Sequence, residues 1–154
     1  MNKYLTFSIS IAFISWIVGL IFNSLLMKTK YYKNISNLNI ITSKTLNKNI
    51  GIGLFKWIVK NTPFKYFNQK LNLKTKTELT ELYVLRKEMT VSEISHLIGF
   101  VFVTIFAVEK LANSAYLFAF IIMIINTLMN LYPSLLQQEN KRRIDRLIKI
   151  AAHI

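Results

Sequence analysis

The chain has 154 residues and combines a high apolar content with a strong positive charge: 53% of its residues are hydrophobic, 18% are charged, and 20 Lys and Arg oppose 7 Asp and Glu. A soluble domain of this size has about a quarter of its residues charged. The composition therefore argues against an ordinary water-soluble globular domain. With no cysteine and two histidines, the chain lacks the residues for disulfides, thiolate metal sites, cysteine nucleophiles or a multi-histidine metal centre. We therefore expect neither a metal nor a cofactor.

The first transmembrane helix is predicted at about residues 5–26. No residue between Tyr4 and Met27 is charged, and this run is long enough to cross ~30 Å of hydrocarbon, which takes ~20 residues. A cleaved signal peptide is the alternative. Its apolar part would have about 7 to 15 residues and end at a small-residue cleavage site, which Leu25-Leu26-Met27-Lys28 does not provide.

Two further transmembrane helices are predicted at about 91–108 and 115–135. The uncharged run 111–138 is long enough to cross the bilayer. The uncharged run 97–108 is too short by itself and crosses the bilayer only if its helix begins at about residue 91. Thirteen basic residues lie within 28–87 and five from residue 141 onward. Three spans place both sets on one side, as the positive-inside rule expects. We therefore predict an all-α, multi-pass cell membrane protein with an external N-terminus, a cytoplasmic C-terminus and a short external link near 109–114.

The predicted organisation is one membrane domain with four parts: the first helix (1–28), a basic aromatic segment (29–90), a transmembrane hairpin (91–140) and a basic tail (141–154). In the second part, lysines alternate with aromatic residues such as Trp57 and Phe64. This pattern is typical of a helical segment at the membrane interface or cytoplasmic surface that binds anionic lipid. Nucleic acid would need a recognisable binding fold, which the sequence lacks, so we expect no nucleic-acid partner.

Glu93 and His96 are ionisable residues inside the second predicted span, where such groups are costly and mark functional sites. Their spacing places them on one helical face. Counting from a link centred near residue 111 or 112, His96 lies level with Asn126 and Glu93 with Asn130. One interpretation is polar packing between helices. The other is a catalytic centre in which His96 is the general base, Glu93 fixes its tautomer, and Asn126 or Asn130 donates to an oxyanion.

Polar and basic residues continue beyond the last span, from Gln137 and Asn140 to the run Lys141-Arg142-Arg143. A basic collar is usual at a cytoplasmic helix end. Arginine is also suited to clamp phosphate. We therefore predict that Arg142 and Arg143 hold the charged headgroup of a donor.

The motifs Glu93-x-x-His96, Asn130-x-Tyr132-Pro133 and Gln137-x-x-Asn140-Lys141-Arg142-Arg143 together resemble the glycosyl-4,4'-diaponeurosporenoate acyltransferase family over about residues 88–147. That family is associated with the last step of staphyloxanthin formation, in which a fatty acyl group is esterified onto the 6-hydroxyl of a glucose attached to a carotenoid acid. The resemblance implies a catalytic contribution from Glu88 and substrate binding by Tyr132, Gln137, Asn140, Lys141 and Arg143. Leu97 and the pair Gln138-Glu139 depart from the family pattern, which has an aromatic residue and Arg-Tyr at these positions.

The sequence and the resemblance together predict a membrane O-acyltransferase at the cytoplasmic leaflet. Its partners would be membrane lipids, an acyl thioester or other activated lipid as co-substrate, and a glycosylated lipid or carotenoid as acceptor. The alternative is a non-catalytic assembly factor or accessory subunit with an anionic-lipid-binding face. An enzyme needs access to the imidazole, whereas a structural polar layer should be closed and fully hydrogen-bonded. Transport is less consistent, because the outer half of the hairpin offers almost no polar route.

Overall fold

The computed structural model describes residues 1–36, 53, 55, 57, 61 and 78–152. Within this part of the chain, the helices are α1 (Asn2–Leu26), α2 (Tyr32–Ile35), α3 (Leu79–Ala112), α4 (Tyr116–Asn126), a π-helical segment (Thr127–Leu131) and α5 (Tyr132–Ala151). These residues contain no strand, and the predicted all-α class is confirmed.

Three helices are long and apolar enough to cross a membrane, which confirms the predicted number of spans. They are α1, α3 and the continuous helix Tyr116–Ala151. The second and third are longer than the predicted spans: α3 begins at Leu79, and the last helix continues to Ala151. Most of the predicted basic aromatic segment, 29–90, lies outside the described residues.

The described residues form two compact units. The first unit comprises residues 1–36 and 90–134, and the second comprises 78–89 and 135–152 together with 53, 55, 57 and 61.

The first unit has an apolar outer surface, and its interior combines an apolar cluster around Val103 and Ile122 with a set of buried polar side chains. Its exposed large side chains include Phe13, Ile17, Leu20, Val101, Ile105, Leu117 and Phe120. Its buried side chains include Ser8, Ser15, Asn23, Glu93, Ser95, Asn126 and Asn130. In a membrane, lipid solvates the apolar surface, while polar side chains hydrogen-bond between helices. The distribution is therefore that of a membrane-embedded helix bundle, in agreement with the three spans.

Two glycines allow a close approach in the interior of the first unit. A Cβ atom at Gly19 would collide with the backbone carbonyl oxygen of Ser95, and a Cβ at Gly99 would lie 3.1 Å from the carbonyl oxygen of Ser15. Small residues at such positions let helix backbones pack closely. The pairs also show that α1 runs antiparallel to α3, because the earlier residue of α1 faces the later residue of α3.

The turn between α3 and α4 is compact and differs from the predicted link. α3 continues through Ala112, so only three residues, 113–115, separate the two helices. Ser114 adopts a φ of 59°, and Ala115 N–H donates to the Lys110 carbonyl at 2.9 Å, which is the bonding of a Schellman cap. The predicted link at 109–114 was therefore placed too early, because α3 extends beyond the charged pair Glu109-Lys110.

The π-helical segment lies just before a proline. Pro133 has no backbone N–H to donate to the carbonyl of Met129, and its ring would crowd that carbonyl in a regular α-helix. The wider π turn relieves the crowding. The indole N–H of Trp16 donates to the Met129 carbonyl at 3.2 Å, so α1 supplies a donor to the carbonyl that Pro133 cannot reach with an N–H.

The second unit packs the start of α3 with the later part of α5. Its apolar core is formed by Leu82, Met89, Ile144 and Ile148. Arg86 donates to Asp145 through its Nε at 2.5 Å, and both side chains remain partly exposed. This unit carries the basic residues that follow the last predicted span.

Candidate active site

His96 lies in the first unit with its imidazole half-buried. The ring meets the indole of Trp16 edge-on, with 5.9 Å between the ring centroids. Its Nδ1 atom is buried and has no hydrogen-bond partner among the residues that the structure describes. A buried nitrogen of this kind carries a desolvation cost, and it is the group that a bound hydroxyl could satisfy.

Glu93 lies one helical turn before His96 and is fully buried. It makes polar interactions, but it does not hold Nδ1 of His96, which has no partner within the described ranges. The predicted role of Glu93 in fixing the tautomer of His96 through the other ring nitrogen stays a prediction. Glu93 does lie close to Tyr32, a neighbour that the sequence did not indicate.

Asn126 and Asn130 form a hydrogen-bonded chain with Ser15. Asn130 Nδ2 donates to Asn126 Oδ1 at 2.9 Å and to Ser15 Oγ at 3.0 Å. Asn126 Nδ2 donates to the carbonyl of Phe100 at 3.0 Å and to Thr104 Oγ1 at 3.2 Å. Asn126 therefore uses both amide hydrogens in contacts with α3, whereas Asn130 uses one within the last helix and one in a contact with α1. Asn130 also neighbours the imidazole of His96.

The level of the asparagines along α3 differs from the prediction. Asn126 was expected level with His96, but it contacts Phe100 and Thr104, which lie about one and two turns further along α3. Asn130 lies beside Gly99 and His96 and is not level with Glu93. The cause is the late turn: with the hairpin centred near Ser114, each residue of the last helix faces a position further along α3.

Several interior residues of α1 and α2 were missed by the sequence interpretation. They are Ser15, Trp16, Asn23 and Tyr32. The spacing of Ser8, Ser15, Gly19 and Asn23 places small and polar side chains along one face of α1, and all four are buried. This periodicity could have identified the helix face that packs against α3. Tyr32 follows the span among exposed basic residues and gave no such signal.

The remaining predicted site residues are divided between the units. Tyr132, in the first unit, is half-buried. The others lie in the second unit: Glu88, Gln137, Asn140, Lys141, Arg142 and Arg143. Gln137 and Lys141 are buried, and Asn140 Nδ2 donates to Gln137 Oε1 at 3.4 Å. Glu88 and Arg143 are exposed.

Arg142 differs from its neighbour Arg143. Its side chain is half-buried, and its Nη1 atom is buried with no hydrogen-bond partner in the described part of the chain. A buried guanidinium nitrogen is a strong donor for an anionic oxygen. Of the two predicted phosphate-binding arginines, Arg142 is the one with a buried donor atom that no described residue bonds, whereas Arg143 is exposed.

These features define a small all-helical membrane protein with buried polar side chains near a half-buried imidazole. The sequence pattern of the glycosyl-4,4'-diaponeurosporenoate acyltransferase family matches residues 28–150, and the chain belongs to this family. The family's description is of an acyltransferase that acts on a carotenoid glycoside. The match begins well before residue 88, so it also covers the basic segment. Comparison with curated proteins and with solved structures gave no match.

Proposed function

We propose that the protein is a membrane O-acyltransferase that moves a fatty acyl group from an activated donor to a sugar hydroxyl of a carotenoid glycoside or a related glycolipid. The observation that carries the proposal is the buried Nδ1 of His96, which has no partner among the described residues in a chain of an acyltransferase family. The ring is half-buried in a bundle whose outer surface is apolar, so a lipid-linked sugar would reach it from the lipid phase.

In the proposed reaction, Nδ1 of His96 takes the proton from the sugar hydroxyl as its oxygen attacks the acyl carbonyl carbon. A new C–O bond forms, the bond to the donor's leaving group breaks, and the proton passes from the imidazolium to that group. A positioned general base of this kind contributes typically about 100- to 10,000-fold. Asn130, as a neighbour of the ring, would set the tautomer by accepting from the other nitrogen.

The roles of Asn126 and Asn130 in this proposal differ from those predicted from the sequence. Because Asn126 accepts from Asn130 at 2.9 Å and donates to α3, we assign it to positioning Asn130. Donation by Asn130 to the oxyanion would require the exchange of one existing hydrogen bond, for instance that to Ser15. Glu93 would act electrostatically on the imidazolium that forms, since it does not contact Nδ1.

A reconstituted assay tests the proposal directly. The purified protein in phospholipid vesicles should convert a glucosylated carotenoid acid and an acyl thioester into a product heavier by one acyl group, detected by mass spectrometry. The free carotenoid acid should give no ester, because it lacks the sugar hydroxyl. Absence of an ester with both a thioester and a phospholipid as donor would refute acyl transfer.

We place the site at the cytoplasmic leaflet of the cell membrane, with the N-terminus outside and the C-terminus inside. The charge distribution supports this arrangement, because the positive-inside rule assigns the two large basic sets to the cytoplasm. An acyl thioester made inside the cell would reach that side directly. Anionic lipids would bind the same basic surface.

Arg142 is expected to bind the charged part of the acyl donor. Replacing it with Gln should raise KM for the donor about tenfold, the loss of one charge-assisted hydrogen bond, with little change in kcat. Arg143→Gln is the matched control, since Arg143 is exposed and should leave KM nearly unchanged. Equal effects of the two substitutions on KM would indicate that the basic residues at this helix end act only through their overall charge, and not that Arg142 binds the donor.

The alternative function is a non-catalytic accessory protein. It is favoured by one observation: Asn126 bonds to α3 and Asn130 bonds to Ser15 of α1, as the residues of a structural layer would. The reconstituted assay separates the two functions, because an accessory protein would form no ester by itself.

A further inference from the structure

Trp16 lies against the imidazole of His96 and is held in place by the last helix. Its indole meets the imidazole nearly at right angles, and its N–H donates to the Met129 carbonyl at 3.2 Å. Tryptophan in membrane proteins is enriched at the two interfaces, whereas Trp16 lies ten residues before the end of α1 at Leu26. It is therefore not placed as an interfacial anchor. Its half-buried indole keeps part of its surface accessible beside the proposed base.

Phe13 continues this aromatic surface toward the lipid. Its ring meets the indole of Trp16 at an interplanar angle of 70°, with 4.9 Å between the centroids, and the residue is 45% exposed. Ile9 and Leu5 follow toward the start of α1, and both are exposed. The spacing places all four side chains on one face of the helix, and we call Leu5, Ile9, Phe13 and Trp16 the α1 strip. It is about 16 Å long, at the helical rise of ~1.5 Å per residue.

The acceptor of the proposed reaction carries a conjugated polyene next to its sugar. A polyene is straight and rigid, so it cannot fold away from the protein when its sugar lies at the imidazole. Its polarisable electrons gain dispersion energy over aromatic rings, and a ring that is already fixed loses little freedom on binding. A saturated acyl chain is flexible and finds an equivalent environment in the lipid. The chemistry therefore favours the polyene over the fatty acyl chain of the donor.

We propose that the α1 strip binds the polyene of the acceptor, with Trp16 and Phe13 in contact with the end that bears the sugar. This inference rests on the proposed function for the identity of the ligand. Because the strip begins at the ring that contacts the imidazole, binding of the polyene brings the sugar to His96. The strip thereby selects carotenoid glycosides over glycolipids with saturated chains.

The test measures binding without any acyl donor, so that it does not depend on turnover. The protein is placed in phosphatidylcholine nanodiscs with a glucosylated carotenoid acid, and circular dichroism is recorded in the visible absorption band of the polyene. A polyene held on a protein surface acquires an induced signal that is missing in empty nanodiscs. The wild type should give this signal, and a glucose ester of a saturated fatty acid should not displace the polyene at equal concentration. Absence of the signal would refute the strip.

Phe13→Leu removes one aromatic ring and keeps an apolar side chain. A titration of the induced signal should show affinity for the polyene weakened about 2- to 10-fold, the equivalent of one aromatic contact. Phe22→Leu is the matched control, because Phe22 lies on the same helix and is 54% exposed, but lies outside the strip. It should keep the wild-type affinity. Equal losses in the two variants would show a general effect of the lipid-facing surface of α1 and would overturn the strip.

Two substitutions of Trp16 separate polyene binding from helix packing. Trp16→Phe and Trp16→Leu both remove the hydrogen bond to the Met129 carbonyl, so both should lower Tm. Only Trp16→Leu also removes the aromatic ring, and it should therefore bind the polyene more weakly than Trp16→Phe. Equal affinities of the two variants would mean that the ring at this position does not contact the polyene, and the proposal would fail.

The outcome is distinguishable from failure of the proposed function. If no ester is ever formed but the induced signal depends on Phe13 and on an aromatic ring at position 16, the strip stands and acyl transfer does not. If the ester forms and the saturated glucose ester displaces the polyene at equal concentration, acyl transfer stands and the strip is refuted.

Discussion

Replacing His96 with alanine is expected to reduce acyl transfer by at least about 100-fold, the lower bound for a lost general base. The substitution removes the nitrogen that receives the hydroxyl proton, while the bonds of Asn126 to α3, of Asn130 to Ser15 and of Asn23 to α3 do not involve the imidazole. The protein should therefore still insert and remain folded. The measurement is the initial rate of ester formation in vesicles that contain equal amounts of inserted protein.

Two further variants make this result specific. His96→Gln keeps a polar side chain but supplies no base, so it should be as inactive as the alanine variant. His153→Ala changes the other histidine, which lies beyond the family match at 28–150, and it should keep wild-type activity. If His96→Ala retained more than a tenth of the wild-type rate, His96 would not be the base.

The membrane architecture was predictable because it depends on properties that the sequence displays directly. The uncharged runs have spanning length, and the asymmetry of basic residues required residues 91–108 to span. Glu93, His96 and Asn130 were also identified without coordinates, because ionisable and amide groups inside spans are rare. All three lie in the first unit, where Asn130 neighbours the imidazole.

The register between helices was not predictable to better than about a turn. It depends on where α3 ends, and Ser114 adopts a positive φ at a position that glycine usually occupies. A serine gives no signal for such a cap. The π-helical segment was missed for a related reason: Pro133 indicates that a carbonyl loses its donor, but the sequence does not say that the Trp16 indole replaces it.

Tyr32 illustrates a second limit of the sequence. A tyrosine among lysines after a membrane span is typical of an interfacial anchor, and its neighbour Tyr31 is indeed exposed. Only the fold separates the two residues, because α2 turns Tyr32 toward Asn23 and Glu93. The sequence gave a clearer signal for Asn23, because it lies on the same face of α1 as the small residues Ser15 and Gly19.

The largest effect on stability is expected from Gly19→Ala, on the face of α1 that packs against α3. The added methyl group would meet the carbonyl oxygen of Ser95, part of the α3 backbone, which cannot move aside as a flexible side chain could. Overpacking of this kind costs about 1–3 kcal/mol of the free energy of unfolding. Because Asn23 bonds α1 to α3 one turn away, separation of the helices should also weaken those bonds. Thermal unfolding in detergent should show a lower Tm.

Gly53→Ala is the matched control, because a Cβ at Gly53 meets nothing within 4 Å. Gly53 is helical, and alanine is the better helix former by about 0.5–1 kcal/mol, so Tm should be unchanged or slightly higher. The contrast isolates the collision from the general effect of replacing a glycine. A Gly19→Ala protein as stable as Gly53→Ala would mean that α1 and α3 do not approach closely at Ser95, and the orientation of Asn23 that follows from this approach would be lost with it.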